Sequence, residues 1–198
     1  QAAVDVFRLP ADANRSGKKM AYAVVASLAR IKELVEVVNE AGLTLSSIDI
    51  GEMAMRNISR LSAAETQARG VGIARITAGG GVVCLYREGN LYLSRQFQLQ
   101  YSGGLRDDLP VEALALEVQR SLDYYERQMG LAPPALVYFC GESISADKIT
   151  LELQRSINVP AKYLDIHQGV GLGEHDDEGM TQMCIGALGG VYREAVFQ

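Results

Sequence analysis

No stretch of this 198-residue chain approaches the roughly 20 consecutive apolar residues that cross a bilayer, and no signal-peptide pattern is visible. A soluble chain without a membrane span of its own is therefore expected. Lys and Arg are also scattered: the net charge is −5 and no basic run occurs. Nucleic-acid phosphates demand clustered cations, so a nucleic-acid partner is not expected. Cysteine occurs only at 84, 140 and 184, each inside an apolar run. Three widely spaced thiols make neither a disulfide framework nor a zinc site, and read instead as buried small hydrophobes in a reducing compartment. The only histidines are His167 and His175. His175-Asp176-Asp177 lacks metal-ligand spacing and reads as a solvated acidic loop. A Gly-x-Ser-x-Gly elbow, a phosphate loop ending in Lys-Ser/Thr and an assignable acid–base carboxylate pair are all missing. No catalytic residue, no metal ligand and no enzymatic activity are expected.

What is present is order. The hydrophobic fraction of 48% is enough to bury a real core. Val71 to Ala78 alternates, with Val71, Ile73 and the stem of Arg75 on one face and Ala74, Ile76 and Ala78 on the other. Gly79-Gly80-Gly81 supplies a reversal. Val82 to Tyr86 is almost wholly apolar, as in a strand covered on both faces. After a second turn at Glu88-Gly89-Asn90, Leu91, Leu93 and Phe97 recur at even steps, predicting a third strand.

Beyond residue 107 the period alternates. Asp107, Asp108 and Pro110 mark a helix start, and Val111, Leu114, Val118, Leu122, Tyr125 and Met129 carry the helical spacing to Gly130. Ala135 to Cys140 reads as a buried strand ending at Gly141, 145–157 as a shorter helix, and 161–166 as a last strand. A glycine- and acid-rich loop over 168–179 precedes a final helix from Met180 to about Arg193. Upstream, Val4–Leu9 and Met20–Ala26 read as strands around a polar loop. Ile31, Leu34, Val35, Val38 and Ala41 form a helical stripe closed by Gly42. Thr44–Ile50 is a further strand candidate, and 53–68 is mostly helix. There is no repeat, low-complexity tract or linker; composition shifts only at Arg69-Gly70. The expected division is 1–69 and 70–198, with one mixed five-stranded sheet from residue 71 onward. In that sheet strand 82–86 pairs with both 71–78 and 91–98. Three antiparallel strands followed by alternating helix and strand is the order of a ribonuclease-H-like half-domain, the unit that actin-like ATPases use in duplicate.

Several segments carry a family likeness. Met20–Arg30 runs into the helix Ile31–Leu43, with Lys32-Glu33-Leu34-Val35 and Ala41-Gly42-Leu43, and then Ser47-Ile48-Asp49-Ile50. Together with the hairpin Tyr86–Arg95, the helix Leu116–Tyr125 and the closing Ile185–Val191, this resembles the PilM-like family of type IV pilus assembly, and within it the mannose-sensitive haemagglutinin (MSHA) branch. The resemblance implies an α/β, actin-like ATPase fold. Residues 1–69 would be part of an inserted subdomain plus the end of the first half-domain, and 70–198 a complete second half-domain, so that the chain is a fragment of the fold. It further implies a cytoplasmic scaffold, peripheral at the bacterial inner membrane, that binds the cytoplasmic tail of a membrane-anchored pilus protein in a groove with one wall near residues 20–50.

ATP belongs to the family, but the residues argue against it here. The metal-binding Asp of the family's second half-domain aligns with Arg75 and its Gly with Thr77, and the adenosine-side Gly-Gly is Cys140-Gly141. A guanidinium has the wrong sign and no acceptor for magnesium. No cofactor is therefore expected, no measurable hydrolysis, and at most weak ATP binding. Arg75, Gly79, Gly80 and Gly141 remain the candidate nucleotide contacts, although a hairpin turn explains Gly79-Gly80-Gly81, and a strand-surface arginine explains Arg75, better than phosphate contacts do. Two other function classes stand beside the scaffold: a nucleotide-binding actin-like ATPase, and the cytoplasmic domain of a type II secretion platform protein.

Overall fold

The computed structural model describes residues 1–13, 19–101, 109–141, 144, 151–165 and 178–193. Strands β1 (Ala2–Arg8) and β2 (Ala21–Ser27) form an antiparallel hairpin in register Val4↔Val25 and Phe7↔Tyr22. Helix α1 (Leu28–Glu40) follows at once, its first turn capped by Ser27, whose Oγ accepts from the Arg30 N–H. It ends as the sequence predicts. Gly42 takes φ 71°, while the Gly42 and Leu43 N–H groups close on the Asn39 and Val38 carbonyls, the Schellman pattern that a left-handed residue permits.

Helices α2 (Gly51–Ser59) and α3 (Ala64–Arg69) lead into the sheet. Its strands are β3 (Val71–Thr77), β4 (Gly80–Arg87), β5 (Asn90–Gln98), β6 (Leu136–Gly141) and β7 (Ala161–Tyr163), in spatial order β5-β4-β3-β6-β7. The first three pair antiparallel, whereas β6 and β7 add parallel to β3, so the sheet is mixed and five-stranded as expected. Both faces are covered, which is why β3 and β4 read as near-continuous apolar runs. On one face lies α4 (Val111–Tyr124), continued by a π-turn over Tyr125–Met129. Its Leu114, Val118 and Leu122 are buried against Ala74, Ile76, Val83 and Phe139. On the other, Met55 and Ile58 of α2 meet Val71, Ile73, Cys84 and Ile185. Ile185 opens α6 (Ile185–Val191), which follows α5 (Glu178–Met183).

The first 69 residues pack into both cores. Leu9 and Ala13, from the β1–β2 connection, are buried in the α4-side cluster. Asp12 accepts a 2.9 Å hydrogen bond from the Tyr92 hydroxyl.

Several expectations differ in detail. Thr44–Ile50 forms no strand. A ladder needs a neighbour, none of the described strands pairs with it, and Leu43, Leu45 and Ile48 stay exposed. The even-step reading of 91–97 fails because a β-bulge interrupts the β4–β5 register: Leu85 opposes Leu93 but Tyr86 opposes Leu91. The extra residue turns both Tyr92 and Leu93 toward α4, while Leu91 joins the opposite core. The first reversal is made by Ala78-Gly79, with Gly80 and Gly81 already in β4. The last helix breaks at Cys184 (φ −87°, ψ 8°) into α5 and α6, and Cys184 is exposed rather than buried. Of the helix expected over 145–157, residues 145–150 lie outside the described set; its end is a 3-10 turn at Leu153–Arg155. The 161–166 strand ends at Tyr163, and His167, His175 and most of the acidic loop also lie outside the described residues.

Candidate functional site

Because β6 runs parallel to β3 in the register Arg75↔Cys140 and Ile76↔Gly141, the β3–β4 turn and the end of β6 arrive at the same edge of the sheet. The topology thus gathers all four candidates from the sequence: Arg75, Gly79, Gly80 and Gly141. Three of them, Arg75, Gly79 and Gly80, line a cleft of about 790 Å³ between the turn and β5, together with Thr77, Gln98 and Glu117. Gly141 does not line it.

The glycines here serve the backbone. Gly79 has φ 82°, and its N–H donates to the Tyr101 carbonyl at 2.6 Å while its carbonyl accepts from Leu99. A Cβ on Gly80 would overlap the Phe97 carbonyl oxygen, and one on Gly141 (φ 135°) would overlap that of Ile76. The Gly141 N–H donates to Gln182 Oε1 at 3.1 Å, and Gln182 Nε2 in turn donates to the Leu164 carbonyl at 3.0 Å. Gln182, 4% exposed, thereby ties α5 to the ends of β6 and the strand beside it. A phosphate cradle needs free N–H groups aimed at the ligand. Those of Gly79 and Gly141 are taken.

The charged side chains divide sharply. Arg95 crosses from β5 to α4, donating to Glu117 Oε2 at 2.6 Å, the Glu117 carbonyl at 3.0 Å and Ser121 Oγ at 3.2 Å. Arg120 holds the other carboxylate oxygen at 2.5 Å. Burial works to raise the Glu117 pKa, but the two guanidiniums prevail and hold it below the usual glutamate value. Arg75 is different. It is half-buried, its Nε is fully enclosed, and that atom has no hydrogen-bond partner among the described residues. Beside it the Cys140 thiol is pushed up to about 12 by burial, with the Arg75 guanidinium opposing; burial likewise pushes Cys84 to about 11. These two thiols are inert core groups, as expected. Among the described residues no cluster of His, Cys, Asp and Glu is placed to hold a metal.

A second groove, of about 430 Å³, runs where the β1–β2 hairpin lies across β5 and α2, between Phe7, Tyr22, Val24, Ile50 and Glu52. The Tyr22 hydroxyl accepts from the Ser94 N–H at 3.0 Å and donates to the Tyr92 carbonyl at 3.3 Å, closing the edge of β5 at its bulge. Burial raises the Tyr22 pKa. Tyr22 and Gln182 went unnoticed in the sequence. Gln182 sits in no motif, nothing in the Met20–Arg30 stretch singles out Tyr22, and both act only across contacts distant along the chain.

Set beside known structures, this arrangement has a counterpart. The fold is shared with a type IV pilus biogenesis complex. A chain of the solved PilM-PilN type IV pilus biogenesis complex matches with a TM-score of 0.64 over 95% of this chain, at 17% sequence identity. The present chain spans 65% of the length of that PilM-PilN chain. No family model matches the sequence, and no curated protein does. At 17% identity the likeness to the PilM-PilN chain is one of fold, and the cleft must be read from its own residues. Among the described residues no helix is long and apolar enough to cross a membrane.

Proposed function

We propose that this chain is a PilM-like, actin-like scaffold of type IV pilus biogenesis, of MSHA type, that links a membrane-anchored assembly protein to the cytoplasmic machinery without hydrolysing ATP. The observation carrying this reading is the fold shared with the PilM-PilN complex along nearly the whole chain. On this reading residues 1–69 are the inserted subdomain and the end of the first half-domain, and 70–198 are the second. The protein sits on the cytoplasmic side of the bacterial inner membrane through its partner. The absence of activity is argued from the site. Arg75 occupies the position aligned with a magnesium-binding carboxylate, and the Gly79 and Gly141 N–H groups are already engaged within the chain. The partner's tail is an extended cytoplasmic segment, held by an apolar wall with a few anchoring side chains. The β1–β2–α1 unit offers such a wall, with Val4, Val25 and Val37 each more than 60% exposed.

Two measurements test the reading. Calorimetric titration of a protein carrying both walls of the groove with N-terminal cytoplasmic tails of bitopic pilus proteins should give saturable binding, weakened by a charge at Val37 in a variant that still folds, while residues 1–198 alone should bind poorly or not at all. ATP turnover with magnesium should stay at the no-enzyme background. Failure of every pilus-protein tail to bind would remove the scaffold, and magnesium-dependent turnover abolished by Arg75→Ala would make the protein an ATPase.

A further inference from the structure

We propose that the groove between the β1–β2 hairpin and β5 docks an extended segment of another polypeptide, which adds to the free edges of β2 and β5 and pairs one lysine or arginine with Glu52. Both walls of this groove lie in the present chain. Tyr22 to Val25 of β2 line one side, and Leu91, Ser94 and Gln96 of β5 the other. Each strand presents an unpaired edge. In the β1–β2 ladder the Leu9 N–H donates to the Met20 carbonyl, and alternation from that pair turns the backbone groups of Ala23 and Val25 away from β1. On β5 the outward groups of Ser94 and Tyr92 are met by the Tyr22 hydroxyl, which accepts from the Ser94 N–H at 3.0 Å and donates to the Tyr92 carbonyl at 3.3 Å. That hydroxyl does what a neighbouring strand's backbone would do. Two residues on, the outward N–H and carbonyl of Gln96 have no partner among the described residues. An open strand edge is a template for an added strand.

The side chains select the peptide. Phe7, Val24, Ile50 and Leu91 make the walls apolar, and Glu52 is the one charged group among the described residues that line them. Glu52 is half-buried in the first turn of α2, where the helix dipole favours a negative charge. One of its carboxylate oxygens accepts a 3.3 Å hydrogen bond from Ser94 Oγ, and no lysine or arginine among the described residues pairs with it. A partly enclosed carboxylate without a cation is completed by a basic side chain, which forms the charge-assisted bonds that a neutral or acidic peptide cannot. At about 430 Å³ the groove takes a few residues of extended chain rather than a helix, which is about 10–12 Å across with its side chains. Apolar residues on either side of a single Lys or Arg therefore describe the occupant. This inference does not rest on the pilus reading: the groove for the pilus-protein tail has only one wall here, and its failure to bind a tail leaves the present groove untouched.

The test pans a random heptapeptide display library against the whole chain and titrates the selected peptides by calorimetry and by the backbone amide resonances of ¹⁵N-labelled protein. Selected peptides should carry one Lys or Arg flanked by apolar, β-forming residues, and should move the Ala23 and Gln96 N–H signals of the unaltered protein saturably. Glu52→Gln should weaken their binding by about tenfold or more. Glu112→Gln, which removes the same charge from an exposed site on α4, should leave it unchanged. Replacing the peptide's basic residue by norleucine should cost as much in the unaltered protein and nothing further in Glu52→Gln. A library without binders, binders without a basic residue, shifts confined to residues outside the groove, or an equal loss in the two variants would overturn the proposal. Because the shifts and the norleucine comparison are read on the unaltered protein, they decide the matter even if Glu52→Gln fails to fold.

Discussion

Replacing Gly189 with alanine tests how α2 and α6 cross. Gly189 lies on α6 directly against α2, and an added Cβ would overlap the carbonyl of Ala54 and stand 3.0 Å from its Cα. The Gly189 carbonyl also accepts a 2.8 Å hydrogen bond from Asn57 Nδ2, and Asn57 is only 2% exposed. Helix propensity alone favours the substitution by about 1 kcal/mol. Against that, forcing a methyl group into a closed contact costs roughly 1–3 kcal/mol. If the helices part to accommodate it, the enclosed Asn57 amide loses its acceptor, at roughly 1–3 kcal/mol more. With both losses set against that gain, Gly189→Ala should be destabilised by about 1–5 kcal/mol. Gly186, three residues earlier on α6, has nothing within 4 Å of where its Cβ would stand. There the same change should stabilise by up to about 1 kcal/mol. Urea unfolding followed by circular dichroism measures both, and each 2 kcal/mol displaces the midpoint by on the order of 1 M at an ordinary urea dependence. A Gly189→Ala protein as stable as Gly186→Ala would refute the crossing.

Two further predictions concern titrating groups. With Cys184 exposed and the Cys84 and Cys140 thiols buried and pushed up to about 11 and about 12, a thiol reagent at pH 8 should label one cysteine quickly in the native chain and all three in denaturant; a second fast thiol would contradict the core assignment. The folded pKa of Glu117 lies below its ordinary value of 4.5, so its contribution is present above that value and is lost as pH falls through the folded one. Glu117→Gln should therefore be less stable near neutrality, leaving Arg95 without its carboxylate, and the two stability curves should converge below pH 4.5. Curves that run parallel into acid would show that the arginine pair contributes nothing.

The sequence alone determined the sheet and most of its coverings, because periodicity and turn chemistry are local. Val71–Thr77, Gly80–Arg87 and Asn90–Gln98 declare themselves through apolar runs separated by Gly79 and Gly89, and α4 through its Val111–Met129 spacing. Gly42 could be named as a cap because a left-handed residue is required there by the helix itself. The candidate site was legible in part: Arg75, Gly79, Gly80 and Gly141 do meet at one end of the sheet, since β3 and β6 run parallel and both end there. Only the tertiary structure decided what those residues do. That Gly141 is satisfied by Gln182, that Arg95 spends its charge on Glu117, and that Tyr22 closes the edge of β5 all depend on contacts between residues 22 to 72 positions apart. The bulge at Tyr92–Leu93 belongs to the same class. A strand's alternation is a property of its own residues, but where it slips is fixed by the partner strand and by the helix that both must cover. Thr44–Ile50 shows the converse: its residues suit a strand, yet a strand exists only when another lies beside it to receive its hydrogen bonds.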